Sequence, residues 1–530
     1  MTNQKNKKRS SIIIMVLAVA VGWGILGAEK SMAAEYYVSP SGSANWSECL
    51  NIDTPCSAQT SMANAVAGDT VYFRNGTYLA PITASSGYTP AFHPEHSGAD
   101  GNPIIFKAYL GEVPYIDNGN NSGSVHTVGS FGAYYNDYII WDGFHTRSIP
   151  DVNNQAKAVM IYHSNYVTIQ NCVIEGYSTG ISNNNCIRLD YADYATIKNN
   201  KLYSNKGVNS PDVNCAAIMS YYAHYISVSN NDIYDSDTAI YDKVDGENNS
   251  YYLNHIWNCG YGFHINLTAN DCHTVSVYQN IFRDITETWA IEIVEGGAQE
   301  GTANNFKFFN NVIYNSLGIS EDAPGVTETE IYNNIISSDI SAHDGLRIYT
   351  GASKIVDYND YFNVSRWNID GYDGSYYTDF SVWQSSVNVD LHSLNSNPFF
   401  VNAGGIEPAD YKLSTTSLCI GAGKDDVNMG AYITGDEIIG YLENEALTVQ
   451  CDDSIDNDSD GQIDYPNDSG CVDSSDNNET DSILINTYTL TNFISAITNW
   501  LGIGNETSDV NSDGIVNTRD LGVMMSNWGE

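Results

Sequence analysis

The stretch ATIKNNKLYS (residues 195–204) decides the fold, because ten-residue stretches of the same pattern recur along the chain. In each of them a pair of residues, usually containing Asn, separates two short runs in which apolar and polar residues alternate. The recurrences are YIIWDGFHTR (138–147), VTIQNCVIEG (167–176), SVSNNDIYDS (227–236), YYLNHIWNCG (251–260), SVYQNIFRDI (276–285), KFFNNVIYNS (307–316), TEIYNNIISS (329–338) and IVDYNDYFNV (355–364). The second position of the pair is predicted at Gly143, Cys172, Asn200, Asn231, His255, Asn280, Asn311, Asn334 and Asp360.

Alternation with a period of two around β-branched residues is typical of half-buried strands and disfavours helix. A unit of 23–31 residues is too short to bury its own apolar face, so successive units must stack on one another. This spacing suits three short strands per turn, joined by loops of variable length. The recurring Asn side chains are expected to hydrogen-bond from turn to turn. The predicted fold class is therefore all-β, a parallel β-helix solenoid over residues 36–435.

The repeats resemble those of the right-handed parallel β-helix in the pectate-lyase-like superfamily. The segments YYVSPSGSA (36–44), MANAVAGDTVYFRNGTY (62–78) and GNPIIFKAYLGEVPYID (101–117) are similar to the capped start of such carbohydrate-active solenoids. Residues 57–66 are predicted to form the helix that covers the open end of the first turn.

The N-terminus has the pattern of a secretory signal peptide over residues 1–33. A basic start (1–10) precedes an apolar run (12–28) and small residues near Ala33 that suit cleavage. An uncleaved membrane anchor is the alternative, because the apolar run approaches the length that spans a bilayer. No second long apolar segment follows. The mature chain is therefore predicted to be extracellular, either secreted or on the cell surface, with no membrane span after cleavage.

Cysteine content and charge narrow the classes of function. The ten cysteines fit export, where disulfides persist. Cys49 with Cys56, and Cys451 with Cys471, are close enough in sequence for local disulfides, although spacing alone does not fix the pairing. The net charge of −42 makes nucleic acid a poor partner, because binding it depends on Lys and Arg at the phosphates.

A second strand follows each Asn-containing strand and begins with a small residue. Its second position is apolar in every turn and must face the core, so the third and fifth positions face outward. The third positions are Arg188, Met219, Tyr241, His264, Glu292, Ser320 and Arg347. The fifth positions are Asp190, Tyr221, Lys243, Asn266, Val294, Asp322 and Tyr349.

Lys243 and His264 fall on adjacent turns of this outer face. Turns lie about 4.8 Å apart, and diagonal neighbours on a sheet are roughly 7–8 Å apart. Arg188, Asp190, Tyr221, Tyr241, Asn266, Glu292 and Arg347 are the predicted substrate contacts around this pair, because the face gathers bases from a chain poor in them and tyrosines whose flat rings suit sugars. A solvated polar face with no function is the alternative interpretation.

The spacing of Lys243 and His264 is similar to that in the alginate lyase and chondroitinase B group of β-helix lyases. The resemblance implies that Lys243, in YDKVDGENN (241–249), is the base that abstracts the C5 proton of a uronate. His264 stands where that group has an Arg, and His can serve as an acid or as a carboxylate contact near neutral pH. A calcium ion near Asp237, Asp242, Asp245 or Glu247 would neutralise the uronate carboxylate and lower the pKa of the lysine.

Three functions remain open from the residues. The first is a polysaccharide lyase that acts on an acidic extracellular polysaccharide by β-elimination. The second is a non-catalytic solenoid that binds glycans or is displayed on the cell surface. The third is a glycoside hydrolase, which needs two carboxyl groups on either side of the scissile bond.

The C-terminal part is predicted to bind calcium in two modules. Residues 436–482 form an acidic, Cys-bracketed linker, in which alternating carboxylates before a glycine suit a calcium loop: Asp456, Asp458, Asp460 and Asp464. Residues 483–530 resemble a dockerin module, which implies calcium ligands from one twelve-residue loop: Asp509, Asn511, Asp513, the Ile515 carbonyl, Asn517 and Asp520. Dockerins attach enzymes to cohesin scaffolds, so a cohesin-like protein is the implied partner.

Overall fold

The structure is a computed structural model. It describes residues 34–442 except 81–87, 118–128, 149–155, 178–182, 208–210, 268–271, 296–302, 324, 340–342, 350–352 and 370–373. These residues belong to the unit Met1–Asn444, and the second unit, Glu445–Glu530, lies outside them. The predicted signal peptide and dockerin-like module therefore lie outside the described residues. So do the predicted acidic linker after residue 442, the ten calcium ligands predicted in the C-terminal modules and the Cys451–Cys471 pair.

The described residues form a coil of stacked turns whose strands, numbered in chain order, line up in three sheets. Among the strands of the described residues, pairings between neighbouring turns are parallel, and β33 with β34 is the one antiparallel pair. The first sheet contains β1 (Glu35–Val38), β2 (Thr70–Phe73), β4 (Ile104–Ala108), β7 (Ile139–Asp142), β10 (Thr168–Gln170), β13 (Thr196–Lys198), β16 (Ser227–Ser229), β19 (Glu247–Tyr252), β22 (Cys272–Tyr278), β25 (Ala303–Phe309), β28 (Glu328–Tyr332) and β31 (Ser353–Asp357).

The second sheet begins one strand later in each turn, and the third sheet completes the turn. The second contains β3 (Gly76–Leu79), β5 (Pro114–Asp117), β8 (His145–Arg147), β11 (Val173–Glu175), β14 (Lys201–Tyr203), β17 (Asp232–Tyr234), β20 (His255–Trp257), β23 (Ile281–Arg283), β26 (Val312–Tyr314), β29 (Ile335–Ser337) and β32 (Asp360–Phe362). The third contains β6 (Phe131–Tyr134), β9 (Ala156–Tyr162), β12 (Asn184–Asp190), β15 (Ala216–Tyr221), β18 (Thr238–Lys243), β21 (Tyr261–Leu267), β24 (Trp289–Glu295), β27 (Leu317–Asp322), β30 (His343–Ile348), β33 (Val364–Ile369) and β34 (Tyr376–Tyr377).

The Asn pair makes the corner between the first and second sheets. Its first member takes a left-handed backbone conformation, with φ of 52° at Asn199 and 54° at Asn230, which Asn tolerates better than most residues. Its second member is buried and stacks from turn to turn, as predicted. The stacked residues, called the Asn ladder here, are Asn200, Asn231, Asn254, Asn280, Asn311, Asn334 and Asn359.

The predicted register of the Asn pair is wrong by one residue in three turns. In the first of them Gly143 takes the corner position, with φ of 84°, and Phe144 takes the inward position that aligns with Cys172. In the other two the ladder positions are Asn254 and Asn359, whereas His255 pairs with Asp232 in the second sheet, and Asp360 pairs with Ile335 there. The reason is that Leu253 and Tyr358 take the left-handed corner position in these two turns, with φ of 57° and 59°. The corner therefore accepts residues other than Asn, whereas the inward position does not vary in these two turns.

We expect Asn280→Ala to lower the free energy of unfolding by about 2–4 kcal/mol, because it leaves buried donors without an acceptor. Asn280 Oδ1 accepts the main-chain N–H of Asn254 at 2.9 Å and its Nδ2–H at 3.0 Å. Urea denaturation followed by far-UV circular dichroism measures the change. Asn64→Ala is the control, since this exposed amide donates to Thr60 O at the surface; equal losses in both variants would contradict a structural role of the ladder.

Helices close both ends of the core. The predicted first helix is confirmed as α1 (Ala58–Asn64), which begins after Ser57, whose hydroxyl accepts the N–H of Thr60. Near the other end, α2 (Phe380–Val387) buries Trp383 completely, and the indole donates to Asp390 at 2.9 Å. Asp390 also accepts from Asn359, so it ends the Asn ladder.

The C-terminal residues of the described chain run back along the coil. Asn333 O accepts the N–H of Gly430, Leu253 O accepts that of Gly440, and Asn199 bonds to Leu442. This segment buries the outer side chains of the second sheet, including Ile281 and Val312, against residues such as Met429. The outer face of the second sheet is therefore part of a small second core in these turns.

The all-β fold with long parallel sheets is confirmed for the described strands from Glu35 to Tyr377, and the bounds 36–435 stay a prediction. Cys49 and Cys56 are buried free thiols in contact with each other, so the predicted disulfide stays a prediction. Within the described ranges no helix has the length and apolarity needed to cross a bilayer.

Candidate functional site

The two predicted outer columns exist on the third sheet. The register pairs Arg188 with Met219, Met219 with Tyr241, and so on through His264, Glu292 and Ser320 to Arg347. In the other column the pairs run from Asp190 through Tyr221, Lys243, Asn266 and Val294 to Asp322. Small residues lead these strands because the turns approach closely there: a Cβ at Gly262 would lie 2.2 Å from Ala290 O.

The apolar second positions face the core, as predicted, and all are at most 1 % exposed: Ile187, Ile218, Ile240, Phe263, Ile291, Ile319 and Leu346. The fourth positions also face inward, and two of them are carboxylates. Asp242 accepts hydrogen bonds from Ser220, Asn249 and Tyr251 inside the coil. Glu321 forms a buried ion pair with Lys354.

Lys243 lies beside Tyr241 on the outer face, with its ammonium 5.4 Å from the centre of that ring. Its Nζ donates to Asn214 Oδ1 at 2.7 Å. Among the described residues no carboxylate oxygen lies within 4.0 Å of this Nζ. Burial and the positive charge of Arg188 lower the pKa of Lys243, and the charges of Asp212 and Asp190 oppose that shift. Lys243 therefore loses its proton more readily than an exposed lysine does.

His264 contacts the same tyrosine from the next turn. The centre of its ring is 4.9 Å from that of Tyr241 and 5.7 Å from that of Tyr261, both edge-on. Its Nδ1 lies 3.2 Å from Glu292 Oε2. Burial raises the pKa of Tyr241 to about 12, so this phenol stays protonated at neutral pH. The structure thus places Lys243 and His264 on adjacent turns of one face, and both contact Tyr241.

The two arginines of the face are paired with carboxylates. Arg188 Nε lies 2.8 Å from Asp190 Oδ1, and its guanidinium lies 5.7 Å from the centre of the Tyr221 ring. Arg347 Nη1 lies 3.2 Å from Asp322 Oδ2, and its guanidinium lies over Trp289. Burial raises the pKa of Asp190, whereas the charge of Arg188 lowers it.

The centre of the face is more buried than predicted. The columns were predicted to face outward, with a solvated face as the alternative interpretation, but Met219 and Tyr241 are 1 % exposed and His264 is 6 % exposed. Residues 211–214, between β14 and β15, account for part of this cover. Val213 packs on Met219 and Tyr241, and Asn214 bonds to Lys243. Alternation along a strand predicts which side a residue faces, but it does not predict what a connecting segment places over it.

Calcium beside Lys243 is not supported for two of the four carboxylates considered. Asp242 faces the interior, as described above, and Asp237 accepts the main-chain N–H groups of Gly207 and Asp212. No cluster of three or more His, Cys, Asp or Glu side chains suited to a metal ion is found in the described part of the chain. The calcium predicted for the C-terminal modules stays a prediction.

Sequence reasoning missed two members of the second column. Tyr134 pairs with Tyr162, and Tyr162 pairs with Asp190, so the column that contains Lys243 begins two turns earlier with tyrosines. Their rings stack at 5.6 Å, and Tyr88 stacks on Tyr162 at 4.7 Å. The signal was present in GAYYNDY (132–138) and MIYHSNY (160–166), where a Tyr follows the alternating run in the same place.

The fold and this face define a parallel β-helix protein with a lysine, an imidazole and paired arginines on one sheet. No protein-family model matches the sequence, and no curated protein does. Among solved structures, the pectate lyase Pel9A is similar over 76 % of this chain and 96 % of its own, with 17 % identity and a TM-score of 0.48.

A rhamnogalacturonan lyase is similar over 72 % of this chain and 97 % of its own, with 14 % identity and a TM-score of 0.42. An exopolygalacturonase from Thermotoga maritima is similar over 58 % of this chain and 86 % of its own, with 11 % identity and a TM-score of 0.42. At these values the comparisons assign neither a family nor an activity.

Proposed function

We propose that the chain is an extracellular polysaccharide lyase that cleaves an acidic polysaccharide by β-elimination, with Lys243 as the base. The proposal is based on which charged groups of the outer face are paired with an opposite charge and which are not. The three carboxylates described there, Asp190, Glu292 and Asp322, each lie within 3.2 Å of a nitrogen of Arg188, His264 or Arg347. Lys243 is bonded instead to a neutral amide, and its pKa is lowered.

This distribution favours a lyase over a hydrolase. A glycoside hydrolase needs one carboxyl group that holds a proton and a second carboxylate across the scissile bond. On this face each of the three carboxylates contacts a nitrogen of Arg188, His264 or Arg347, rather than a second carboxylate across a cleft. A lyase needs one base within reach of a carbon-bound proton, and Lys243 meets that requirement.

The proposed reaction uses Lys243 and His264 in sequence. The unprotonated Lys243 amine takes the C5 proton of the uronate, the C5–H electron pair forms the C4–C5 double bond, and the C4–O bond breaks. His264 gives its proton to the leaving oxygen, which becomes a hydroxyl group. Glu292 orients the imidazole through Nδ1, and both residues return to their starting states by exchange with water. The substrate carboxylate is expected to bind near Arg188, whose charge already acts on Lys243.

Absorbance of unsaturated uronate products, measured across a panel of acidic polysaccharides, tests the proposal. At least one polymer should give products that absorb ultraviolet light through the new C4–C5 double bond. New reducing ends without that absorbance would indicate a hydrolase and contradict the proposal. A non-catalytic glycan-binding protein is the second candidate, favoured by the burial of Tyr241 and His264; binding of a polymer with no cleavage would support it.

Two substitutions are expected to move the pH dependence of activity in opposite directions. The rate should fall as the pH falls through the pKa of Lys243, since only the unprotonated amine acts as base. Asp212 raises that pKa and Arg188 lowers it. Asp212→Asn should therefore shift the rise of kcat to lower pH, and Arg188→Met should shift it to higher pH. Shifts of the same sign, or none, in steady-state pH profiles would contradict Lys243 as the titrating base.

A further inference from the structure

An aromatic surface lies next to the candidate site, at the corner where the third sheet leads into the first. Four consecutive turns each place two rings there, three residues apart, in segments 135–138, 163–166, 191–194 and 222–225. We call these four segments the aromatic strip. Seven of its eight rings are tyrosines, and the eighth is His163.

The rings of the strip stack face to face along the coil. In one column Tyr138, Tyr166, Tyr194 and Tyr225 are separated by 4.5, 4.6 and 4.8 Å between ring centres. In the other, His163 lies between Tyr135 and Tyr191 at 5.0 and 4.6 Å, and Tyr222 follows. Because each ring covers the faces of its neighbours, the edges are what the strip presents to solvent. Tyr135 is 59 % exposed and Tyr194 is 43 % exposed.

Other residues would adopt the backbone conformation of the strip at a lower cost in energy. The eight ring-bearing positions have φ between 47° and 57°, a region that costs most side chains energy and that Gly and Asn tolerate. The chain uses Asn at the comparable corner of the Asn pair, for example at Asn199 and Asn310. Tyrosine at these positions therefore adds something that the turn itself does not require.

Stacking alone does not explain the hydroxyl groups. A second column of stacked rings, Tyr252, Tyr278, Phe309 and Tyr332, includes a phenylalanine at spacings of 4.9 and 5.1 Å from its neighbours. A ring without a hydroxyl group thus fits such a column equally well. In the aromatic strip every ring carries a polar edge. Seven of the eight rings carry a hydroxyl group, and in the column from Tyr138 to Tyr225 there is one in every turn.

The strip is continuous with the face that carries Lys243. Tyr222 follows Tyr221, which pairs with Lys243 in the register, and the rings of Tyr221 and Tyr222 lie 4.6 Å apart, edge to face. Tyr162 of the same column contacts His163 of the strip at 4.4 Å. A polymer that crosses Lys243 along the coil therefore meets the strip in the turns that precede it.

The charged groups that face the strip disfavour recognition of acidic groups there. Asp137 accepts the N–H of Asn165, and Asp193 accepts from the N–H and the ring of His224. Asp245 lies 4.0 Å from the other nitrogen of His224. Tyrosine edges offer both a donor and an acceptor, and they give large contact area at a low cost in side-chain entropy. Sugar hydroxyl groups are the chemistry that such a row of edges fits.

We propose that the aromatic strip binds a stretch of the polysaccharide chain through its hydroxyl groups, on the N-terminal side of Lys243. The proposal rests on the proposed function for the identity of the polymer. The enzyme then binds several sugar units in addition to those at Lys243, and this contact depends little on charge. Binding through the strip should then persist at salt concentrations that screen exposed charges.

Affinity electrophoresis of the full chain tests the proposal. The parent protein is Lys243→Ala, so that no polymer is cleaved during the run, and the gels contain each polysaccharide of the activity panel. Replacing Tyr166, Tyr191 and Tyr194 by Phe keeps the stacks and removes three hydroxyl groups. We expect the dissociation constant for the retarding polymer to rise about tenfold or more, at low and at high salt alike, since each lost hydrogen bond is worth about 0.5–1.5 kcal/mol.

The control replaces Tyr252, Tyr278 and Tyr332 by Phe, in the column that already holds Phe309. It should bind as the parent does, and thermal unfolding should show that all three proteins are folded. Equal binding by the strip variant and the parent would overturn the proposal, as would retardation by none of the polymers. Weakened binding in the strip variant with no cleavage by the wild type would remove the proposed lyase activity and leave the strip as a binding surface.

Discussion

Replacing Lys243 by alanine is expected to lower kcat about 10²–10⁴-fold on whichever polysaccharide the wild type cleaves, because a positioned general base contributes that much. The amine is the one described cation of the outer face that has no carboxylate partner. Its pKa is lowered by burial and by Arg188, which increases the fraction of amine able to accept the C5 proton at neutral pH. Initial rates of unsaturated product formation measure the loss.

Lys243→Arg separates the role of a base from the role of a charge. Arginine keeps the positive charge but does not give up its proton at accessible pH. If Lys243 only attracted the substrate carboxylate, the arginine variant would retain most of the activity and change mainly KM. As a base, it should be as inactive as the alanine variant. Lys198→Ala, on the outer side of the first sheet, is the matched control, since β13 lies on a different sheet.

His264 gives a second and independent check on the same reaction. An acid that protonates the leaving oxygen matters less when the leaving group is already good. His264→Ala should therefore lose activity on the natural polymer more than on a substrate with an activated leaving group at C4. Lys243→Ala should lose activity on both. Equal losses for His264→Ala on the two substrates would assign the imidazole to binding.

Much of the coil could be predicted because its pattern is local. Strand alternation, the short repeat and the small lead residues placed Lys243 and His264 on the same face and on adjacent turns, and the register confirms this. The same alternation placed Asp242 at a fourth, inward position. The expectation of calcium at Asp242 therefore conflicted with the strand pattern that located Lys243, and the structure resolves the conflict in favour of the pattern.

Other features depend on contacts that the sequence does not encode locally. Part of the cover over Tyr241 comes from residues 211–214, which belong to a loop of variable length and carry no repeat. The C-terminal segment reaches Asn199 from Leu442, across 243 positions of sequence. The shift of the ladder to Asn254 follows from Leu253 at a corner that Asn usually occupies. In each case packing between distant residues, rather than propensity, selects the outcome.

A large loss of stability is expected when the ion pair of Glu321 and Lys354 inside the coil is broken. Glu321 is 0 % exposed, and the side chain of Lys354 is 7 % exposed. Burial raises the pKa of Glu321 to about 7 and lowers that of Lys354. Thr329 donates to the other carboxylate oxygen at 2.8 Å. The charge of Lys354 favours the ionised form of Glu321, and burial opposes it.

Glu321→Ala should lower the free energy of unfolding by about 3–5 kcal/mol, because it leaves the ammonium of Lys354 buried without its partner. The double variant Glu321→Leu with Lys354→Met should recover most of that loss, since apolar residues of similar volume replace a buried pair at little or no cost. The partly exposed pair of Lys307 and Glu330, 3.0 Å apart, is the control, and Lys307→Met should cost about 0–1 kcal/mol. Equal losses for Glu321→Ala and Lys307→Met in urea titrations would show that burial does not govern the internal pair.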